Sequence, residues 1–89
     1  MSLQNDTIIV WDDPKRLANI DKHGFDSSEL TTDFFLEARV RRAKNNRFLA
    51  VGLFREIIIS VVFFPLGTEG VSVISMRRSS DRERSIYDA

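Results

Sequence analysis

The sequence predicts a single α+β domain: a mainly antiparallel sheet of four to five strands, two helices near the amino terminus and one at the carboxyl terminus. Three observations carry this prediction. The 89 residues (1–89) are one domain's length. β-branched and aromatic residues concentrate in short stretches typical of strands. The last four of these stretches are separated by connections of hairpin length, which favours antiparallel neighbours.

The first third of the chain predicts one strand and two short helices. Residues 7–11 are β-branched or aromatic and predict the strand. One of the two aspartates at 12–13 caps the first helix, whose buried side is marked by Leu17 and Ile20 and which ends at Gly24.

The second helix is predicted to begin near Asp26 or Ser27 and to be held by apolar docking. Two adjacent phenylalanine pairs are assigned to the core, and core packing is also the commoner role of Trp11, with base stacking as the alternative. The core phenylalanines are Phe34, Phe35, Phe63 and Phe64.

The remaining chain predicts a four-stranded meander and a final helix. Ser80 and Glu83 form a capping-box pattern that opens this helix, which carries Ile86 and Tyr87. The predicted strands are 38–43, 47–54, 57–64 and 71–76, joined by turns at 44–46, 55–56 and 65–70.

Composition excludes several classes of function. Without cysteine the chain has no disulfides, thiolate nucleophile or cysteine-bound metal, and one histidine makes any other metal site weak. The four glycines are too scattered for a phosphate-binding loop. No apolar run is long enough to cross a bilayer and no secretory signal is expected, so the predicted location is the cytoplasm.

Charge is segregated along the chain although the formal net charge is zero. Residues 1–36 carry a net charge of −4 and residues 37–89 a net charge of +4, with arginine supplying nine of the ten cations in the second part. Such a half can attract polyanions, and the alternative is an ordinary solvated face.

Arginines cluster where the last strand meets the last helix. Arg77 and Arg78 should point to opposite faces of the sheet, and Arg82 and Arg84 follow in the first turns of the helix. Guanidinium groups beside a helix amino terminus can hold phosphate oxygens. The alternative is that the two helical arginines pair with nearby carboxylates, namely Asp81, Glu83 or Asp88.

A second candidate is the pair Lys22 and His23. Histidine can transfer protons near neutrality, and lysine can stabilise a phosphate. The alternative is a helix end decorated with two cations that favour its dipole.

Several segments, taken in order, resemble the BrnT family of bacterial type II toxins. They are residues 11–19, 22–24, 47–52 and, most strongly, 73–87. The chain departs from the family at 44–46, where Lys-Asn-Asn replaces acidic residues, and in its neutral net charge.

The resemblance implies a RelE-like fold and a metal-independent endoribonuclease that needs no cofactor and inhibits translation. It also implies a BrnA-like antitoxin that blocks the toxin, alone supplies contact with operator DNA, and could build a higher-order complex.

We predict metal-free attack of a 2′-hydroxyl on the adjacent phosphate. The predicted catalytic residues are Lys22, His23, Arg77, Arg78 and Tyr87, with His23 or Tyr87 as proton carrier and Arg77, or Arg78 if the register is shifted, on the phosphate. Arg55, Arg82 and Arg84 are predicted to bind substrate. The alternative is a non-catalytic module that keeps the fold and binds an antitoxin-like partner.

Overall fold

A computed structural model describes residues 7–89 as one five-stranded sheet with helices on both faces. In chain order the elements are β1 (Ile8–Trp11), α1 (Asp13–His23), a 3₁₀ turn (Ser27–Glu29), α2 (Thr32–Glu37), β2 (Arg39–Arg42), β3 (Phe48–Phe54), β4 (Ile57–Leu66), β5 (Gly70–Arg78) and α3 (Asp81–Asp88). None of the described helices is long and apolar enough to cross a bilayer.

The strand order across the sheet is β1-β5-β4-β3-β2. β2 to β5 form the predicted antiparallel meander, whereas β1 pairs in parallel with β5 along Ile8–Trp11. The predicted α+β class, the mainly antiparallel sheet, the two early helices and the late one are confirmed.

Two tight turns fix the register of the meander. Asn45 and Asn46 have φ of 60° and 61°, which asparagine tolerates well. Arg55 and Glu56 join β3 to β4 with φ of 47° and 69°. Two successive positive φ values match the twist of a two-residue hairpin, but that loop favours Asn-Gly over long side chains.

The front face of the sheet, defined by Ile59, Val61, Phe63, Val71 and Met76, carries the core. All five side chains are fully buried, and the aromatic ring of Phe35 meets that of Phe63 edge to face at 5.4 Å. α1, the 3₁₀ turn and α2 cover this face. Alternation along β4 places Ser60 and Val62 on the opposite, rear face, where α3 lies.

α1 is attached to the sheet by a buried amide. Asn19 Nδ2 donates to Met76 O at 2.9 Å, and Met76 N donates to Asn19 Oδ1 at 3.0 Å. β1 ends opposite Val73, so Asn19 satisfies the β5 backbone beyond it. The prediction that Leu17 lies on the buried side of α1 was wrong, because Leu17 is exposed. The two hydrogen bonds between Asn19 and Met76 determine instead which side of α1 faces the sheet.

Three other predictions were wrong. The helix expected from Asp26 or Ser27 is a 3₁₀ turn capped by Asp26, and Leu30 ends it in extended backbone before α2 begins. Phe64 points to the rear face and is half-buried under the Arg47 guanidinium. Trp11 is 37% exposed on an edge strand, and its Nε1 donates to Asp13.

Candidate active site

Arg77 and Glu83 form a bidentate ion pair between β5 and α3. Arg77 Nη1 lies 2.6 Å from Glu83 Oε1, and Nη2 lies 2.8 Å from Oε2. Because β5 places Arg77 beside Ser60 on the rear face, this pair fastens the start of α3 to that face. Arg77 is therefore committed to a carboxylate.

Further hydrogen bonds converge on the same carboxylate. The Ser60 hydroxyl and the Ser80 backbone N–H donate to Glu83 Oε1 at 2.8 and 2.9 Å, and Ser79 Oγ lies 2.7 Å from Ser60 Oγ. The predicted capping box between Ser80 and Glu83 is present. The Arg77 guanidinium above all, then the donors from Ser80 and Ser60, lower the pKa of Glu83 to about 2.

A groove of about 160 Å³ opens where β4 begins and β5 ends. Arg78 from β5 and Arg84 from α3 line it, and neither forms an ion pair in the described part of the chain. The prediction that Arg77 and Arg78 point to opposite faces is confirmed by their pairing with Ser60 and Ile59. Two cations without carboxylate partners can take an anion between them.

Lys22 and His23 lie in a second groove, of about 200 Å³, together with Lys15 and Ser75. His23 is half-buried and Lys22 is exposed. Ser75 in this groove and Arg78 in the first are three residues apart on β5, about 10 Å along an extended strand. Four of the predicted site residues therefore fall into two separate grooves, Arg78 and Arg84 in the first and Lys22 and His23 in the second.

The other predicted site residues are more scattered. Arg55 is ion-paired with Glu29 and stacks on Phe54, 5.0 Å from the ring centroid. Arg82 is exposed on α3, and Tyr87 is half-buried one turn after Arg84. Among the described residues, neither Arg82 nor Arg84 pairs with Asp81, Glu83 or Asp88, so the alternative of local pairing was wrong.

The sequence reasoning missed Glu56, which lines the Arg78 groove. Its signal was available, because a glutamate in a two-residue hairpin turn is an unusual choice. It also missed the anchoring roles of Asn19 and Ser60. Those depend on contacts between residues 57 and 23 positions apart, which no local pattern contains.

The charge asymmetry of the sequence becomes a two-sided molecule. α1 with its N-cap, the 3₁₀ turn and α2 form a layer over the front face that also exposes Lys15 and Lys22 but is acidic on balance; its exposed carboxylates are Asp12, Asp13, Asp21, Glu29, Asp33 and Glu37. The far edge strand, β2, exposes Arg39, Arg41 and Arg42. Residues 7–89 contain no cluster of three or more histidine, aspartate or glutamate side chains placed to hold a metal ion.

Comparison with known proteins agrees with this architecture. The family described as "Ribonuclease toxin, BrnT, of type II toxin-antitoxin system" matches residues 11–83. The crystal structure of the Brucella abortus ribonuclease toxin BrnT superposes with a TM-score of 0.78 at 50% identity, covering 84% of this chain and 99% of that one. No curated protein matches the sequence. The chain belongs to the BrnT family of ribonuclease toxins of type II toxin–antitoxin systems.

Proposed function

We propose that this chain is a metal-independent endoribonuclease that cleaves cytoplasmic RNA and so inhibits translation. The observation that carries the proposal is the groove shared by Arg78 and Arg84 at the end of the sheet, two cations that form no ion pair with any carboxylate of residues 7–89. Guanidinium groups can stabilise the charge that develops on a phosphate during attack by the 2′-hydroxyl, which is the electrostatic part of such a reaction.

Within this proposal Arg78, rather than Arg77, binds the scissile phosphate. Both terminal nitrogens of Arg77 donate hydrogen bonds to Glu83. A phosphate could bind Arg77 only if this bidentate ion pair were broken. Arg77 is a positioning residue in this scheme, because it holds α3 and with it Arg84. Arg55 forms an exposed ion pair with Glu29 and lines neither groove, so the scheme gives it no direct contact with the scissile phosphate.

Proton transfer is assigned to His23 or Tyr87. His23 lies in the neighbouring groove with Lys15 and Lys22, whose ammonium groups can attract the RNA backbone. Tyr87 is three residues after Arg84 on α3, so the two share one side of that helix. The second groove would contact the RNA backbone away from the Arg78 groove, and Arg82, exposed on α3, would add a peripheral contact.

The test is cleavage of an end-labelled single-stranded RNA in the presence of EDTA. Wild type is expected to cleave, and Arg78→Ala to lose about 10²-fold or more in rate, the typical cost of removing one transition-state donor. Arg39→Ala, which removes an exposed cation on β2, is the matched control and should stay near wild type. Cleavage that EDTA abolishes would contradict the metal-free chemistry. No cleavage by folded protein would favour the interaction module.

We further propose that a BrnA-like antitoxin docks on the rear face beside α3. Leu49, Val62 and Phe64 are half-buried there, and the guanidinium of Arg47 lies 5.2 Å from the centroid of the Phe64 ring. Arg47 Nε is buried and has no hydrogen-bond acceptor among the described residues. An apolar surface with such a donor suits an amphipathic, acidic segment better than RNA.

This second proposal is tested by antitoxin binding, with Arg47→Glu against Arg42→Glu. Both variants reverse one cation, but Arg42 pairs with Phe48 and so belongs to the front side of the sheet. Arg47→Glu should weaken antitoxin binding at least tenfold and leave RNA cleavage intact. Equal effects of the two variants would contradict the rear-face assignment. Higher-order assembly and contact with operator DNA would then come through the antitoxin.

A further inference from the structure

We infer that Glu56 is the general base of this ribonuclease, the group that takes the proton from the attacking 2′-hydroxyl. The inference rests on the proposed function and adds a residue to it. Glu56 lines the same groove as Arg78 and Arg84, so a carboxylate and two cations surround one concave site. This is the combination that transphosphorylation without a metal requires.

The backbone conformation of Glu56 supports this role. It has φ of 69°, and its neighbour Arg55 has φ of 47°. Non-glycine side chains other than asparagine and aspartate rarely adopt this region, and a two-residue hairpin of this kind favours Asn-Gly. A disfavoured conformation that carries a charged side chain at the edge of a groove is characteristic of functional sites.

The ion pairs around the groove also support this role. Glu56 forms no ion pair within the described residues, although Arg78 and Arg84 line the groove with it. Arg55, the adjacent cation, is held by Glu29 instead. The carboxylate and the two free guanidinium groups therefore remain available for a substrate placed between them.

Among the carboxylates of residues 7–89, no other fits the task as well. Glu83 is near the groove but accepts hydrogen bonds from Arg77, Ser60 and Ser80, and its pKa of about 2 makes it a poor proton acceptor. Glu56 is the acidic side chain that lines the groove in the described part of the chain.

The proposed reaction forms one bond to phosphorus and breaks another. The Glu56 carboxylate accepts the 2′-hydroxyl proton while O2′ forms a bond to phosphorus, and Arg78 and Arg84 hold the non-bridging oxygens. The bond from phosphorus to O5′ breaks, and O5′ takes a proton from Tyr87, which follows Arg84 by one turn of α3, because His23 lines the other groove. The products are a 2′,3′-cyclic phosphate and a 5′-hydroxyl end.

The experiment measures single-turnover cleavage of the same labelled RNA and, separately, binding of its uncleavable 2′-O-methyl form. Glu56→Gln is expected to lower the cleavage rate by 10²-fold or more, with binding equal to or tighter than wild type. Glu69→Gln is the matched control, since it removes an exposed carboxylate from the β4–β5 turn, and should cleave like wild type.

Glu56→Gly separates catalysis from folding. Glycine accepts positive φ without a steric cost, so this variant should melt at a higher temperature than wild type while losing cleavage as Glu56→Gln does. Cleavage by Glu56→Gln within twofold of wild type would overturn the assignment and leave the proposed function standing. A wild type that binds but never cleaves the RNA would overturn both.

Discussion

The two faces of the sheet are covered by different kinds of contact. On the front face, Phe35 and Phe63 pack among fully buried aliphatic side chains beneath α1 and α2. On the rear face, α3 contains no fully buried residue and is fastened through Glu83, Arg77 and Ser60. Burial of apolar surface dominates on the front face, whereas directional polar contacts dominate the attachment of α3 to the rear face.

This difference assigns different tasks to the two faces. Apolar packing is non-directional, and the front-face core beneath the acidic layer accounts for most of the buried apolar surface of the domain. A carboxylate with four donors sets the position of α3 within narrow limits and therefore the position of Arg84. The position of Arg84 at the groove and the stability of the core therefore depend on different contacts, and mutations can alter one without the other.

The largest effect is expected from the front face. Phe63→Ala should lower the free energy of unfolding by about 3–5 kcal/mol, because it leaves a cavity in a fully buried site. Urea denaturation monitored by circular dichroism measures this. Leu66→Ala, a truncation of a 47% exposed side chain at the end of the same strand, is the control and should cost less than about 1 kcal/mol. Similar losses in both variants would refute the contrast.

An intermediate effect is expected from the rear face. Glu83→Gln should cost about 2 kcal/mol, between the values for exposed and fully buried ion pairs, since the Glu83 side chain is 14% exposed and that of Arg77 is 33% exposed. Combining it with Arg77→Met in a double-mutant cycle isolates the pair. A coupling near zero would show that α3 is held by something else. Asp88→Asn, at the end of α3, is the matched control.

A smaller, graded effect is expected on acidification. The pKa of Glu83 falls from an ordinary 4.5 to about 2 in the folded chain, so its contribution is complete above pH 4.5 and is lost as the pH falls towards 2. The pKa of Asp26 is also lowered, chiefly by its hydrogen bond from Arg16, so the acidic layer weakens in acid as well. Unfolding measured from pH 6 to pH 2 should show a shallower decline in Glu83→Gln. An unchanged slope would contradict the role of Glu83.

Most of the fold could be predicted because its signals are local. Alternation of residues, turn chemistry and the capping box at Ser80 and Glu83 each lie within a few positions of the chain. The parallel pairing of β1 with β5 and the anchoring of α1 by Asn19 join distant segments. No short-range sequence pattern distinguishes a buried asparagine from an exposed one. The sequence analysis therefore assigned Leu17, and not Asn19, to the buried side of α1.

The sequence predicted which residues belong to the candidate site, but not how their side chains are arranged in space. Sequence alone brought Arg77, Arg78 and Arg84 together, because they are neighbours in the chain. It could not show that Arg77 is occupied by Glu83, since the capping-box pattern explains the glutamate without any partner on the sheet. Glu56 was read as a turn residue, and only the meeting of two strand ends with α3 placed it beside the arginines.

The parallel pairing of β1 with β5 also determines the order in which the chain can assemble. Ile8 lies opposite Gly70, 62 positions later, while the hairpins of β2 to β5 close over only a few residues. The amino terminus leaves the ribosome first, so β1 has no partner strand until β5 has been synthesised. During that interval the apolar strand β1 lacks its partner in the sheet, and the growing chain cannot complete this sheet until β5 has been synthesised.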